Sequence, residues 1–302
     1  MSKTTVIVPS RNEQYLQQTV DDVIAHAEEE IEVIVVMDGP TAYPLNVKGK
    51  NVRLIFHSTP RGKRVCINHA ASVATGDYLM MADAHCLFSQ GYDRILQHDC
   101  DQNWVVILRR YTLDPDKWEC KPPREPVDYY YLTCPWNNPK RFIIQSCPWF
   151  QRTRERVNCL PIDDTMTLQG SMWFMSTEHF KKRLGGMEIA GWGASSSADW
   201  FELGMKTWLS GGRVVINKNG YYAHLYKGNR PRGYSLTQQR ILPQLIHASH
   251  YWATDQWDLS IPGRNFGWLV DHFWPLPTKE TKVRGERLYW PENWREYYEG
   301  RI

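Results

Sequence analysis

The chain has 302 residues and a formal charge of +3, from 36 lysines and arginines against 33 aspartates and glutamates. With 42% hydrophobic and 23% charged residues, the composition is that of a globular protein and excludes wholesale disorder, coiled coil and collagen. The length allows one large domain or two ordinary ones. The departure from average is aromatic: 14 tryptophans and 16 tyrosines supply rings that suit stacking on sugars or bases, or simple packing.

No targeting or membrane segment is visible in the sequence. No stretch approaches the about 18 consecutive apolar residues of a membrane span. Residues 1–10 lack the basic start, apolar stretch and small-residue cleavage site of a signal peptide. We therefore expect no membrane partner and a cytoplasmic location. The seven cysteines form no C-x-x-C pair, which favours reduced thiols over a disulfide framework or zinc ribbon.

The first hundred residues alternate strand and helix patterns. Short apolar, β-branched runs predict strands, and apolar residues at helical spacing predict helices. Asn12 precedes the first helix in a position to cap it. The predicted strands are 4–8, 31–37, 52–56 and 78–82, and the predicted helices are 16–27 and 63–74. This alternation predicts an α/β fold with a mainly parallel sheet flanked by helices, which binds ligands at the carboxyl ends of its strands.

The pattern is interrupted and then resumes. Residues 114–150 are rich in Pro, Trp and Tyr, which predicts an irregular insertion or a loop over a site. Order returns with a predicted strand at 168–175, a helix at about 198–209 and a strand at 213–217. Residues 226–302 are rich in Trp, Pro and Arg and show little periodicity.

Polar residues follow the first two predicted strands. Neither the G-x-G-x-x-G pattern of a dinucleotide site nor the G-x-x-x-x-G-K-[ST] pattern of a P-loop is present. Instead, residues 9–13 (PSRNE) end the first strand and Asp38 ends the second. These ends lie side by side in an α/β sheet, where carboxylates can meet the donor edge of a base and the hydroxyls of a ribose.

The strongest local signal is Asp83-Ala84-His85, directly after the apolar strand 78–82. Residues i and i+2 of an extended chain point to the same side, so the carboxylate and imidazole can face one site. That pair suits Mn²⁺ or a similar divalent ion, which could clamp a diphosphate. In the alternative interpretation Asp83 caps the next turn and His85 is a surface residue.

The order of these features resembles the nucleotide-sugar half of family 2 glycosyltransferases, which have the GT-A fold. The D-x-H form followed by Cys86 is particularly similar to the polypeptide N-acetylgalactosaminyltransferases. Residues 169–174 (QGSMWF) resemble the family's glycine-containing strand beneath the donor sugar, and Trp192 would shape the sugar pocket. The donor-binding residues that the resemblance implies are Pro9, Ser10, Arg11, Glu13, Asp38, Arg61, Lys63, Asp83, Gly170 and Trp192.

The resemblance also implies a metal site and a domain boundary. Residues 222–227 (YAHLYK) resemble the late histidine segment of the family, which makes Asp83, His85 and His224 the implied metal ligands. The implied cofactor is a divalent metal, with Mn²⁺ expected and Mg²⁺ as the alternative. The likeness covers about residues 3–228, so we expect a GT-A catalytic domain at 1–228. Residues 229–302 would be a Trp/Arg-rich extension that binds the acceptor or packs on the catalytic domain.

Asp199 is the candidate catalytic residue. Glycosyl transfer needs a base for the acceptor's proton or groups that stabilise an oxocarbenium-like state. Asp199 begins a predicted helix, whose dipole favours the ionised carboxylate. Alternatively, it only stabilises its own helix. Many inverting family members carry an acidic pair here, whereas this chain has Ala198-Asp199, so both stereochemical outcomes stay open.

These features predict a metal-dependent glycosyltransferase that moves one sugar from a nucleotide diphosphate donor, expected to be UDP-linked, to an acceptor hydroxyl. The Q-x-x-R-W signature of processive synthases is missing. The alternatives are a sugar nucleotidyltransferase and a non-enzymatic carbohydrate- or nucleic-acid-binding module. The acceptor could be a glycan, a small molecule or a hydroxymethylated base in DNA. The DNA interpretation rests on Arg152, Arg154, Arg156, Lys227, Arg230, Arg232 and Arg240.

Overall fold

The structure is a computed structural model of the chain. It describes residues 2–43, 45–46, 51–122, 125–137, 142–192, 198–227, 234, 238–278, 282–283, 286–287 and 289–300. The strands are β1 (Lys3–Ser10), β2 (Glu30–Asp38), β3 (Val52–His57), β4 (Tyr78–Ala82), β5 (Cys86–Phe88), β6 (Trp104–Asp114), β7 (Glu119–Cys120), β8 (Tyr130–Leu132), β9 (Ser146–Pro148), β10 (Ile162–Asp164), β11 (Met172–Ser176), β12 (Arg213–His224), β13 (Lys282–Val283) and β14 (Glu286–Arg287).

Eight α-helices lie within the described residues. They are α1 (Leu16–His26), α2 (Lys63–Val73), α3 (Tyr92–His98), α4 (Phe150–Arg156), α5 (Asp199–Leu209), α6 (Gln238–Ala253), α7 (Phe266–His272) and α8 (Trp294–Tyr298). A 3-10 turn at Pro135–Asn137 and a π-helical turn at His179–Arg183 complete the helical segments of this part of the chain.

One large sheet organises the molecule. Its strand order is β10-β12-β6-β11-β4-β1-β2-β3, with β5 added on β12 and β7 on β6. The pairs β1–β2, β1–β4, β2–β3 and β6–β12 are parallel, whereas β11 runs antiparallel between β4 and β6. The predicted α/β fold with a largely parallel sheet is confirmed, and the carboxyl ends of β1, β2 and β4 meet at one edge.

Side chains on the two faces of the sheet pack into two main cores, and a third, smaller cluster lies around Leu113 and Ala223. In β1, Ile7 belongs to one core while Val6 and Val8 belong to the other, as the alternation of a strand requires. The core that contains Ile7 also contains Trp252 and Trp290 from the C-terminal segment. The tryptophan-rich segment therefore packs on the same sheet face as α2, whereas α1 and α3 pack on the other face.

The predicted elements of the first hundred residues match the structure to within about two residues. The role expected for Asn12 was wrong: α1 has Tyr15 at its N-cap, and Asn12 has a left-handed backbone (φ 48°) with its Oδ1 accepting from the Ala42 N–H. Residues 114–150 contain the short strands β7, β8 and β9 rather than only loop. The C-terminal segment contains three helices, α6 to α8, which its weak periodicity did not predict.

All seven cysteines are free thiols. Among the described residues, no helix has both the length and the apolar character that crossing a bilayer requires.

Candidate active site

The D-x-H motif, residues 83–85, comes directly after the end of β4. The backbone N–H of Asp83 donates to the Ser171 carbonyl at 2.8 Å, which fixes the first residue after the strand. His224, the last residue of β12, pairs with Cys86 of β5 and so lies beside the motif. One ligand atom from each of Asp83, His85 and His224 lies within 4.8 Å of the other two. The structure therefore brings all three predicted metal ligands together.

Glu13 orients one of these histidines. Its Oε2 is 3.0 Å from His85 Nδ1 and also accepts from Lys227 Nζ. Burial raises the pKa of Glu13, but the hydrogen bonds and charges of His85 and Lys227 outweigh burial and lower it overall. A carboxylate on Nδ1 leaves Nε2 of His85 for a metal ion, an arrangement common around metal-binding histidines. This contact is with the metal cluster rather than with the nucleoside that the sequence suggested.

His224 has the properties of a neutral ligand. Its Nε2 is 3.4 Å from Asp83 Oδ2, and burial lowers its pKa to about 4. The imidazole is therefore uncharged at neutral pH, as metal coordination requires. Its Nδ1 is buried with no hydrogen-bond partner among the described residues. One carboxylate with two imidazoles is a donor set that fits Mn²⁺, so the residues present match the implied cofactor.

Lys63 connects the metal cluster to the candidate catalytic residue. As the first residue of α2, it extends its Nζ to 2.9 Å from Asp83 Oδ1 and 3.0 Å from Asp199 Oδ2. The ammonium also donates to the carbonyl oxygen of Gly170. Gly62, which precedes the helix, has a φ of 94°, a conformation that glycine adopts without strain. This turn aims the first side chain of α2 into the site.

Asp199 is the first residue of α5, as predicted, and is 2% exposed. Burial raises its pKa above the ordinary value, although the charge of Lys63 opposes the shift. Desolvation is therefore the largest influence on this carboxyl group. A Cβ on Gly170 would lie 3.0 Å from Asp199 Oδ1, a tight contact that glycine avoids in the turn before β11.

The predicted nucleoside side is partly occupied by internal contacts. Asp38 accepts from the backbone N–H groups of Arg61 and Gly62 at 2.7 and 2.9 Å, and its Oδ1 is 3.1 Å from His57 Nδ1. It therefore fixes the loop that leads into α2. With His57 and Cys66 it also forms a second buried group whose ligand atoms lie within 4.8 Å.

Three further donor-binding candidates lie near this loop. Ser10 at the end of β1 has a buried hydroxyl with no partner in the described part of the chain. Arg11 lies 4.8 Å from the ring centroid of Tyr234, and Pro9 is half-buried. Arg61 has an exposed side chain.

Trp192 does not match its predicted role. It is 2% exposed and packs against the guanidinium of Arg64, 4.8 Å from the ring centroid, so it offers almost no surface to a sugar. Arg64 in turn forms a fully buried ion pair with Glu202. This pair joins α2 to α5 one residue after Lys63, and sequence reasoning missed it because buried charges have no periodic signature.

Three of the four basic residues of the DNA interpretation whose side chains the structure describes are engaged within the protein. Lys227 binds Glu13, Arg156 Nε donates to Asp163 at 2.6 Å, and Arg152 lies 5.1 Å from the ring centroid of Tyr129. Arg154 is exposed. The remaining members, Arg230, Arg232 and the side chain of Arg240, lie outside the described residues.

The sequence is similar to those of several known proteins. The sequence profile of Glycosyl transferase family 2 matches residues 5–182. The chain is 27% identical over 169 residues to probable N-acetylgalactosaminyltransferase 8 of Caenorhabditis elegans, covering 54% of this chain and 37% of the relative. It is 23% identical over 188 residues to human polypeptide N-acetylgalactosaminyltransferase 3, covering 60% and 28%. The chain thus spans less than two fifths of the length of these relatives.

Among solved structures, the crystal structure of GalNAc-T7 with UDP, GalNAc and Mn²⁺ is similar in fold. The TM-score is 0.62 at 17% identity, and the match covers 83% of this chain and 49% of the other. The likeness confirms the predicted GT-A fold.

The contact between Glu13 and His85 predicts that Glu13→Gln weakens metal binding. The amide keeps the shape but loses the negative charge that holds the His85 Nδ1–H, and loss of such a partner costs about 10- to 100-fold in metal affinity. Isothermal titration with Mn²⁺ measures the change. Glu178→Gln, on an exposed carboxylate, is the matched control and should bind Mn²⁺ normally. Normal affinity in Glu13→Gln would contradict the assignment.

Proposed function

The chain is a member of Glycosyl transferase family 2, and we propose that it is a metal-dependent glycosyltransferase. It moves a single sugar from a UDP-linked donor to an acceptor hydroxyl. The observation that carries this proposal is the cluster of Asp83, His85 and His224, joined through Lys63 to the buried carboxylate of Asp199. A metal-binding set next to a candidate base is what a nucleotide-sugar transferase requires.

The charges of the site suit a cation and a diphosphate. The carboxylates of Asp83, Asp199 and Glu13 face the ammonium groups of Lys63 and Lys227, so these five groups together carry one excess negative charge. When bound by Asp83, His85 and His224, Mn²⁺ would neutralise the charge of the leaving diphosphate. The similar fold of GalNAc-T7, whose crystal structure contains UDP and Mn²⁺, supports this choice of metal and nucleotide.

On the nucleotide side, the unpartnered hydroxyl of Ser10 is available to the nucleoside at the end of β1. The exposed guanidinium of Arg61 stands where a phosphate or ribose can reach it. Lys63 holds a proton on its Nζ, because burial lowers its pKa but the charges of Asp199 and Asp83 raise it further. Its ammonium can therefore serve the diphosphate as a permanent cation.

We assign Asp199 as the base that accepts the proton of the acceptor hydroxyl. Its carboxylate is buried, and the resulting rise in pKa makes it a stronger base. Lys63 keeps one oxygen, Oδ2, in a fixed direction. All of these residues fall within 1–228, which we propose as the catalytic domain. Residues 229–302 would then be an extension that shares the hydrophobic core of that domain.

The direct test of this proposal is release of UDP from a panel of UDP-sugars. We expect release with Mn²⁺ present, none in excess EDTA, and loss of metal-dependent release in Asp83→Asn, because the carboxylate ligand is removed. A binding module would release no nucleotide, and a nucleotidyltransferase would release no nucleoside diphosphate. Full release in excess EDTA would contradict the metal requirement.

Asp199→Asn tests the proton transfer. The amide retains the size of the side chain but cannot accept a proton, so kcat should fall by about 10²- to 10⁴-fold. Affinity for UDP, measured by calorimetry in the presence of Mn²⁺, should stay near the wild-type value. Asp116→Asn, in an exposed turn, provides the matched control. Near-normal turnover in Asp199→Asn would reduce Asp199 to a helix-stabilising residue.

A further inference from the structure

Arg110 of β6 is a buried guanidinium with no acidic partner among the described residues. It is 4% exposed, and within the described part of the chain it has neither an ion pair nor a side-chain hydrogen bond. It lies between two rings, 5.2 Å from the centroid of Tyr130 and 4.7 Å from that of Tyr226. The preceding residue, Arg109, shows the contrast, because it binds both carboxylate oxygens of Asp128.

In this arrangement the N–H groups of the Arg110 side chain have no hydrogen-bond acceptors among the described residues. Two rings contact the guanidinium, but they accept no N–H hydrogen bonds in its plane, and its donors need acceptors. A buried charge without a counter-ion is costly unless a ligand compensates it. The hydroxyl of Tyr130 is also buried without a partner among the described residues. Two adjacent side chains therefore present unsatisfied donors.

These donors lie close to the metal cluster. Arg110 pairs with Tyr222 of β12, two residues before His224, and alternation along the strands places Arg110 and His224 on the same face. The ring of Tyr226 stands edge-on to His224, with centroids 4.9 Å apart. In the sheet, β6 and β12 lie on the opposite side of β4 from β1 and β2, where the nucleoside is expected. An anion at Arg110 would therefore lie on the side of the metal site away from the nucleotide.

We propose that Arg110 and Tyr130 form an anion-binding subsite for a phosphate or carboxylate group of the acceptor. This inference rests on the proposed glycosyl transfer and narrows its acceptor to an anionic molecule. The planar guanidinium binds two oxygens of either group at once, and the phenol adds a third donor. The anion then holds the acceptor with its hydroxyl toward the metal cluster.

The test uses the full chain saturated with Mn²⁺ and UDP, so that the diphosphate position is filled. Sulfate and acetate are titrated as probes by calorimetry at constant ionic strength, and the tighter probe identifies a phosphate-like or a carboxylate group. We expect binding that falls about tenfold or more in Arg110→Met, since a charged hydrogen bond is lost. Tyr130→Phe should weaken it less. Arg94→Met, on an exposed arginine, should bind as wild type.

A purely structural role for Arg110 predicts different results. The Tyr130 hydroxyl has no partner to lose among the described residues, so Tyr130→Phe keeps the fold and isolates the effect on the anion. Wild-type binding of the probe in both variants, or no binding of either probe to the wild-type protein, would overturn the subsite. Failure of the wild-type protein to release UDP from any donor would instead contradict the proposed transferase activity, so the two proposals fail separately.

Discussion

The site depends on one ammonium group placed between two carboxylates. Asp83 follows β4 and Asp199 begins α5, and Lys63 Nζ lies 2.9 and 3.0 Å from their oxygens. Without a cation between them, these two neighbouring carboxylates would repel each other and one would be forced to bind a proton. Removing Lys63 would leave the buried charge of Asp199 without its counter-ion, which is destabilising. The pairing therefore both holds the elements together and keeps the carboxylates charged.

Two features of the fold point the Lys63 ammonium group into the site. The left-handed turn at Gly62 starts α2 so that Lys63 points into the site. The next residue, Arg64, points into the core and pairs with Glu202, which also receives Lys206 Nζ at 3.0 Å. Successive residues of one helix thus fix α2 against α5 and place the catalytic candidate. We attribute the precision of the site to this buried network rather than to the loops around it.

The sequence predicts the first half of the fold well, since each strand of the nucleotide-binding part is a short apolar run. The D-x-H motif is visible because it follows an apolar strand, whereas the resemblance to family 2 glycosyltransferases implied His224 and, together with the start of a predicted helix, Asp199. The side chains that contact these residues in the structure cannot be predicted from the sequence. Nothing in the pattern indicates that Glu13 would hold His85, or that Trp192 would be buried under Arg64, since both depend on contacts between distant segments. The helix α6, which contains Pro243, gives too weak a periodicity to be recognised.

The most direct test of the metal site is to locate Mn²⁺ by anomalous diffraction in crystals grown with Mn²⁺ and UDP. We expect a peak bounded by Asp83, His85 and His224. The buried group of Asp38, His57 and Cys66 offers a similar set of ligand atoms, but the oxygens of Asp38 already accept two backbone N–H groups. A peak at that second group, or none at the first, would contradict the proposed metal-dependent transfer.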